Sequence, residues 1–233
     1  MNRKLRSLTF NRQTDYDFEN KSIHYQYEKI VSSMIIDIDE VLQLHETTVI
    51  KWHTSEIENP FDEALSIVCD QHSDNFRLWH EEDSARCPTT NDIEIAAVKR
   101  RIDKLNQSRN DRIEKIDEWN SEVLEQRGIE PKENARLNTE TPGSAIDRLS
   151  IMALRLYHLD EQLQRDDATP DHRVSVNEKI SICKMQKLRL SQALKDLLDE
   201  IEQGRCQHVT YRQFKMYNDK NLNPYLYKKQ ADG

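Results

Sequence analysis

Apolar residues recur along most of this chain at three- and four-residue spacing, the period that lines one face of an α-helix. The first run is expected from about Ser22 to Leu44, with Tyr27, Val31, Met34, Ile38, Val41 and His45 on one stripe. Thr47 and Thr48 should break it, leaving a short apolar piece from Val49 to His53. Asn59-Pro60 reads as the next helix start, with Asn as N-cap and Pro at the first helical position. That helix carries Leu65, Val68 and His72 inward and should continue to about Arg86. After Pro88–Asn91 a third helix should reach Gln126, with Ile95, Val98, Ile102, Leu105, Arg109, Ile113, Ile116 and Val123 as its core stripe. Gly128 is placed to end it.

Residues 129–143 are polar with two prolines and read as a linker. A fourth helix is expected over about 144–165 and a fifth over about 172–203, closed by Gly204. The pattern therefore predicts an all-α bundle of about five long amphipathic helices. Its organisation would be an N-terminal arm (1–20), the bundle (21–204) and a tail (205–233). The tail holds Tyr211, Phe214, Tyr217, Tyr225 and Tyr227, too many aromatics for a free end, so it should pack back on the bundle.

Composition narrows the function classes. Only 4 of 233 residues are glycine, and none stands in a phosphate-cradling loop, which excludes a P-loop or dinucleotide-binding fold. A net charge of -8 argues against general nucleic-acid binding, where phosphate neutralisation supplies most of the affinity. The four cysteines form no C-x-x-C pair, and Cys69 and Cys183 fall on apolar helix faces as buried thiols. No signal peptide or membrane span is visible, so a cytoplasmic protein is expected.

The informative departure is on the second and third helices. On the face that holds His72, the second helix places Asn75, Trp79, Glu82, Asp83 and Arg86. The third carries Asn106, Arg109, Asn110, Asp111, Glu114 and Asp117. Burying polar groups without partners costs several kcal/mol, so two core-facing helices that turn polar together suggest a built site. Asn106, Ser108, Asn110 and Asp111 also sit mid-helix, each costing up to roughly 0.7 kcal/mol relative to Ala.

As an active site, Glu82, Asp83, Asp111 and Glu114 would hold a hard cation, Mg²⁺ or Mn²⁺. Asn106 and Asn110 would orient ligand oxygens, and Arg86 or Arg109 would meet a phosphate. His72 would join them as a catalytic group, Asn75 and Trp79 would bind the cofactor, and Lys215 from the tail would bind with them and close the site. The competing reading is a structural network that sets helix register, or for Glu82 and Arg86 an ordinary surface pair. No His-Glu-x-x-His and no Glu-x-x-His motif occurs, and His72 is the one histidine singled out for testing.

The stretches HSDNFRLWHEEDSAR (72–86), KRRIDKLNQSRNDRIEKID (99–117), TPGSAIDRLSIMALRLYH (141–158) and KMYNDKNLNPYLY (215–227) together resemble domain-of-unknown-function family 4254. The resemblance covers most of the chain from about residue 30 and implies a bacterial helical protein without an assigned reaction. It also implies genes lying near those of glycosyltransferases for cell-envelope glycans. A phosphorylated sugar, a nucleotide sugar or a glycosyltransferase is the partner this suggests. Two functions follow as expectations. One is a divalent-metal-assisted hydrolase or transferase acting on a phosphorylated small molecule. The other is a non-catalytic helical module that binds a protein.

Overall fold

Signals confined to one turn set most helix ends in the computed structural model, which describes residues 36–216 and 219–227. Among them are six helices: α1 (Ile38–Trp52), α2 (Glu63–Arg86), α3 (Asp92–Gln126), α4 (Pro142–Gln164), α5 (Pro170–Glu202) and the single turn α6 (Pro224–Tyr227). The expected arm, and residues 22–35 of the expected first helix, lie outside the described residues. Asp37 caps α1, and Asn91 forms a reciprocal capping box with Glu94 at the start of α3. Thr141 and Thr169 each accept a backbone N–H and precede a proline, opening α4 and α5. Gly128 and Gly204 take the left-handed φ values of +63° and +67° that end α3 and α5.

Two expected boundaries are corrected. Helix α1 does not break at Thr47 and Thr48. Both hydroxyls bond back to carbonyls one turn earlier, Thr47 to Gln43 at 2.8 Å and Thr48 to Leu44 at 2.6 Å. Thr48, Val49 and Trp52 thus continue the buried stripe of Val41, Leu44 and His45. Helix α2 starts at Glu63 rather than Pro60, because Glu63 adopts φ +50° and the backbone before it is extended. The Asn59 amide reaches forward instead, donating to the Ser66 carbonyl and to Asp70 at 2.9 and 2.8 Å.

The core is built from Val41 and Leu44 of α1, Val68 of α2, Ile116 of α3, Ile146, Leu149 and Leu154 of α4, and Leu194 of α5. Each such side chain contributes roughly 1.5–3 kcal/mol by leaving water. Helices α2 and α3 form an antiparallel hairpin, since Glu81 meets Arg101 while Asp74, seven residues earlier, meets Arg112 further along α3. Helices α1 and α5 are also antiparallel, linked by Asp39–Lys195 and Glu46–Lys187 pairs.

Helix α4 begins hard against α3. The Gly143 N–H donates to Asp117 Oδ1 at 2.7 Å, and a Cβ at Gly143 would lie 2.5 Å from the Ile113 carbonyl oxygen. Glycine is what permits that approach. From there α4 runs antiparallel to α3 and carries Asp147 to the level of Arg109.

The expected linker is pinned rather than free. Lys132 N–H donates to the Gly204 carbonyl and Arg136 N–H to that of Arg205, both at 2.9 Å, and Gln207 N–H returns to Arg136. The chain then runs back along α3, with His208 Nε2 2.7 Å from the Asp117 carbonyl and Gln213 N–H 2.8 Å from Glu114. Of the aromatics expected to pack, Tyr211 donates its hydroxyl to the Asn138 carbonyl at 3.1 Å, Phe214 and Tyr225 are 81% and 84% exposed, and Tyr217 lies outside the described residues. Among the described residues the cysteines are free, with Cys69, Cys183 and Cys206 buried, and no helix is long and apolar enough to cross a membrane.

Candidate functional site

The polar face of α2 divides in two. In its first part Gln71, His72 and Asn75 are buried, and α4 supplies each of them with a hydrogen-bond partner. Asp147 accepts from Gln71 at 2.5 Å and from Asn75 at 2.9 Å. It also takes a two-pronged ion pair from Arg109 of α3, whose Nε donates at 2.7 Å and whose Nη2 reaches the second carboxylate oxygen. Ser150 Oγ, one turn on, lies 2.9 Å from the Asn75 amide nitrogen and 2.7 Å from His72 Nδ1. The hydrogen bond to Asp147 raises the pKa of Arg109 still further, against the cost of its burial.

His72 is packed between two other rings, His45 at 4.6 Å and Trp52 at 5.2 Å. Burial lowers its pKa to about 3, so the imidazole is neutral near pH 7. His45 is also held well below the usual histidine range, first by burial and then by the nearby His72 and Lys187.

Past Asn75 the helices part. A pocket of about 340 Å³ opens between α2, α3 and α4, with Trp79, Glu82, Asp83 and Arg86 on one wall, Asn106 and Arg109 on another, and Ile151 and Leu154 behind. Asn75 and Arg109 belong to both regions, as the roof of the network and the floor of the pocket. At the rim Arg86 pairs with Glu82 at 2.9 Å and approaches Asp83 at 3.8 Å. Lys215 comes close, its Nζ donating to the Asn106 carbonyl at 3.2 Å.

Seven of the residues expected at a site therefore line one pocket: Asn75, Trp79, Glu82, Asp83, Arg86, Asn106 and Arg109. The others do not. His72 lies beneath the pocket, within the network. Asn110 is half-buried on α3 and lines no wall of it. Asp111 is exposed and accepts from Gln107, while Glu114 is taken by Arg212 and the Gln213 N–H of the tail.

The four carboxylates expected to share a cation are not brought together. In the antiparallel register Glu81 faces Arg101, so Glu82 stands level with about residue 100 of α3. Asp111 is eleven residues further on, about 16 Å away at 1.5 Å per residue. Among the described residues no group of three or more carboxylates converges.

Sequence reading missed Gln71, Asp147 and Ser150. Their signal was present: Asp147 and Ser150 stand three residues apart between the apolar positions Ile146, Leu149 and Ala153 of α4. Which polar groups they would face could not be read from that spacing.

An all-α bundle with a polar site wedged between three helices is the class that the geometry defines. The family described as "Protein of unknown function (DUF4254)" matches residues 65–209, and the chain belongs to it. No curated protein and no solved structure matches it.

Proposed function

We propose that this protein binds a small phosphorylated, sugar-type ligand in the pocket between α2, α3 and α4. The observation that carries the reading is the convergence of an indole, amide, carboxylate and guanidinium groups on one 340 Å³ space. Pockets that bind small molecules combine apolar walls with a few placed polar groups. Here Trp79, Ile151 and Leu154 offer the apolar surface, and Asn75, Asn106, Glu82 and Asp83 can exchange hydrogen bonds with hydroxyls.

Arg109 commits its Nε and one Nη2 donor to Asp147, which neutralises its charge and fixes it in the pocket floor. Arg86 is the group for phosphate. Its present partners are exposed, and exposed pairs of this kind are worth only about 0–1 kcal/mol, less than a charge-assisted bond to a phosphate provides. Hydrolysis or group transfer on the bound ligand is the catalytic extension of this reading, with Glu82 and Asp83 the carboxylates placed for proton transfer. A cation held jointly by Glu82, Asp83, Asp111 and Glu114 forms no part of it, because the four do not converge.

Calorimetric titration of the full chain with sugar phosphates, nucleotide sugars, the unphosphorylated sugars and inorganic phosphate tests it. Saturable binding of one phosphorylated sugar class is expected, weakened at least tenfold by Trp79→Ala and by Arg86→Ala. No binding by any of them, or binding that both variants leave unchanged, overturns it.

A further inference from the structure

A second constellation lies on the far side of Trp79 and uses none of the pocket's polar groups. His53, the residue that closes α1, meets His80 of α2 and His158 of α4. The three rings lie 5.2 to 5.7 Å apart between centroids, and one nitrogen from each stands within 4.8 Å of one from each of the others. These rings come from three different helices, far apart in sequence, and no local motif placed them together.

The orientation of the rings is what gives the cluster a chemical meaning. In each, Nδ1 faces a group that can only accept a hydrogen bond. His53 Nδ1 is 2.6 Å from the Val49 carbonyl, His80 Nδ1 is 2.8 Å from the Phe76 carbonyl, and His158 Nδ1 is 2.6 Å from a Glu161 carboxylate oxygen. Nδ1 must therefore carry the proton in all three, and in a neutral ring that leaves the Nε2 lone pair available. The Nε2 atoms of His53 and His158 are buried and find no hydrogen-bond partner. Histidines that bind metals show this arrangement: the outer nitrogen donates to a carbonyl or carboxylate, fixing the tautomer and the direction of the ligating lone pair.

The surroundings hold the rings firmly. Tyr157 stacks on His53 at 4.0 Å and 16°, and Trp79 stacks on His158 at 4.7 Å and 9°. Phe76 stands edge-on to His53 at 4.8 Å and tilted against His80 at 4.5 Å. Plain aromatic packing would account for the stacking alone. It leaves the buried Nε2 atoms of His53 and His158 unpaired, at a cost of about 1–3 kcal/mol each that a shared ligand would remove.

We infer that His53, His80 and His158 form a binding site for a zinc-class transition-metal ion, with the Nε2 of each ring as ligand. Imidazole nitrogens suit Zn²⁺, Cu²⁺, Ni²⁺ and Fe²⁺, while Mg²⁺ and Ca²⁺ prefer oxygen. Three protein ligands leave the fourth tetrahedral position of zinc to water or to a ligand, the pattern of open rather than purely structural sites. Bonds of about 2.0–2.1 Å to one ion would set the ligating nitrogens roughly 3.4 Å from one another. Beside His80 lies a cleft of about 480 Å³ lined also by Arg77, Arg101, Lys104 and Glu81. Glu161 orients His158 from outside and is a positioning residue.

The test is metal binding by the purified, chelator-treated full chain, read by equilibrium dialysis with Zn²⁺ and by the visible absorption of Co²⁺. One ion per chain is expected, with intense tetrahedral-type Co²⁺ bands, displacement by Zn²⁺ and none by a hundredfold excess of Mg²⁺. His80→Gln and His158→Gln should each weaken Zn²⁺ binding at least tenfold and abolish those bands, and Glu161→Gln should weaken binding about tenfold. Circular dichroism separates loss of the site from loss of the fold. If one histidine variant unfolds, the other and Glu161→Gln decide. Absence of stoichiometric Zn²⁺ binding, or binding that the folded histidine variants keep in full, overturns the site. Neither result bears on the sugar-phosphate pocket, which is tested without added metal.

Discussion

The two ends of α2 carry the same kinds of residue and come to opposite fates. Around Gln71, His72 and Asn75 the side chains are buried and each is hydrogen-bonded to α4, whereas around Glu82, Asp83 and Arg86 they stand in water and pair only with one another. The difference is made by α4. Its Asp147 and Ser150 lie opposite the first group, while opposite the second it offers Ile151 and Leu154 and the helices open into a pocket. One polar region is thus framework and the other is surface left for a ligand, with Arg109 and Asn75 shared between them. A polar stripe on a core-facing helix is therefore not one feature but as many as the neighbouring helices make of it.

The sharpest way to break this comparison is to cut the centre of the framework. Asp147→Ala strands the Arg109 guanidinium and leaves Gln71 and Asn75 without their acceptor. It should lower unfolding free energy by about 3–5 kcal/mol in urea titrations. A loss under about 1 kcal/mol would show that the network is incidental.

Acid should act on the same region next. His72 has a folded pKa of about 3 against an unfolded value near 6.5, so between those limits the unfolded chain binds the proton and the folded chain does not. The contribution of neutral His72 is fully present above pH 6.5 and is lost as pH falls toward about 3, at up to about 1.4 kcal/mol per pH unit. His45 is lowered in the same direction and adds to the slope. Stability measured from pH 7 to pH 4 should fall accordingly, and His72→Gln should flatten the dependence. A pH-independent stability over that range would contradict the buried neutral state.

The smallest effect belongs to the rim. Glu82→Ala and Arg86→Ala should each change stability by less than about 1 kcal/mol, because their pair is exposed. Destabilisation as large as that of Asp147→Ala would erase the distinction between framework and pocket.

Several parts of the fold were legible in the chain because their causes lie within four residues. The glycines at 128 and 204 read as helix ends and take left-handed φ values there. The helical spacing of Ile102, Ile113, Ile116 and Val123 acts locally too. The capping box of Asn91 and Glu94 and the Thr-Pro starts of α4 and α5 are equally local, but they were not read, and those two starts were placed two residues late, at 144 and 172. The break expected at Thr47 and Thr48 failed because their hydroxyls found carbonyls within the helix itself. Sequence spacing also located the polar wall formed by Asn75, Trp79, Glu82 and Arg86, since one helix face is a matter of period alone.

What faces that wall was decided by tertiary structure. The close approach of Gly143 to Ile113 sets where α4 crosses α3, and that crossing puts Asp147 beside Arg109. The antiparallel register of α2 and α3 separates Glu82 from Asp111, two residues that composition alone would have joined. His53, His80 and His158 meet only because α1, α2 and α4 bring the ends of three unrelated stripes together. Period and capping are properties of a single helix and are written in its residues. Partnership between helices depends on crossing point and register, which the whole packed core fixes at once.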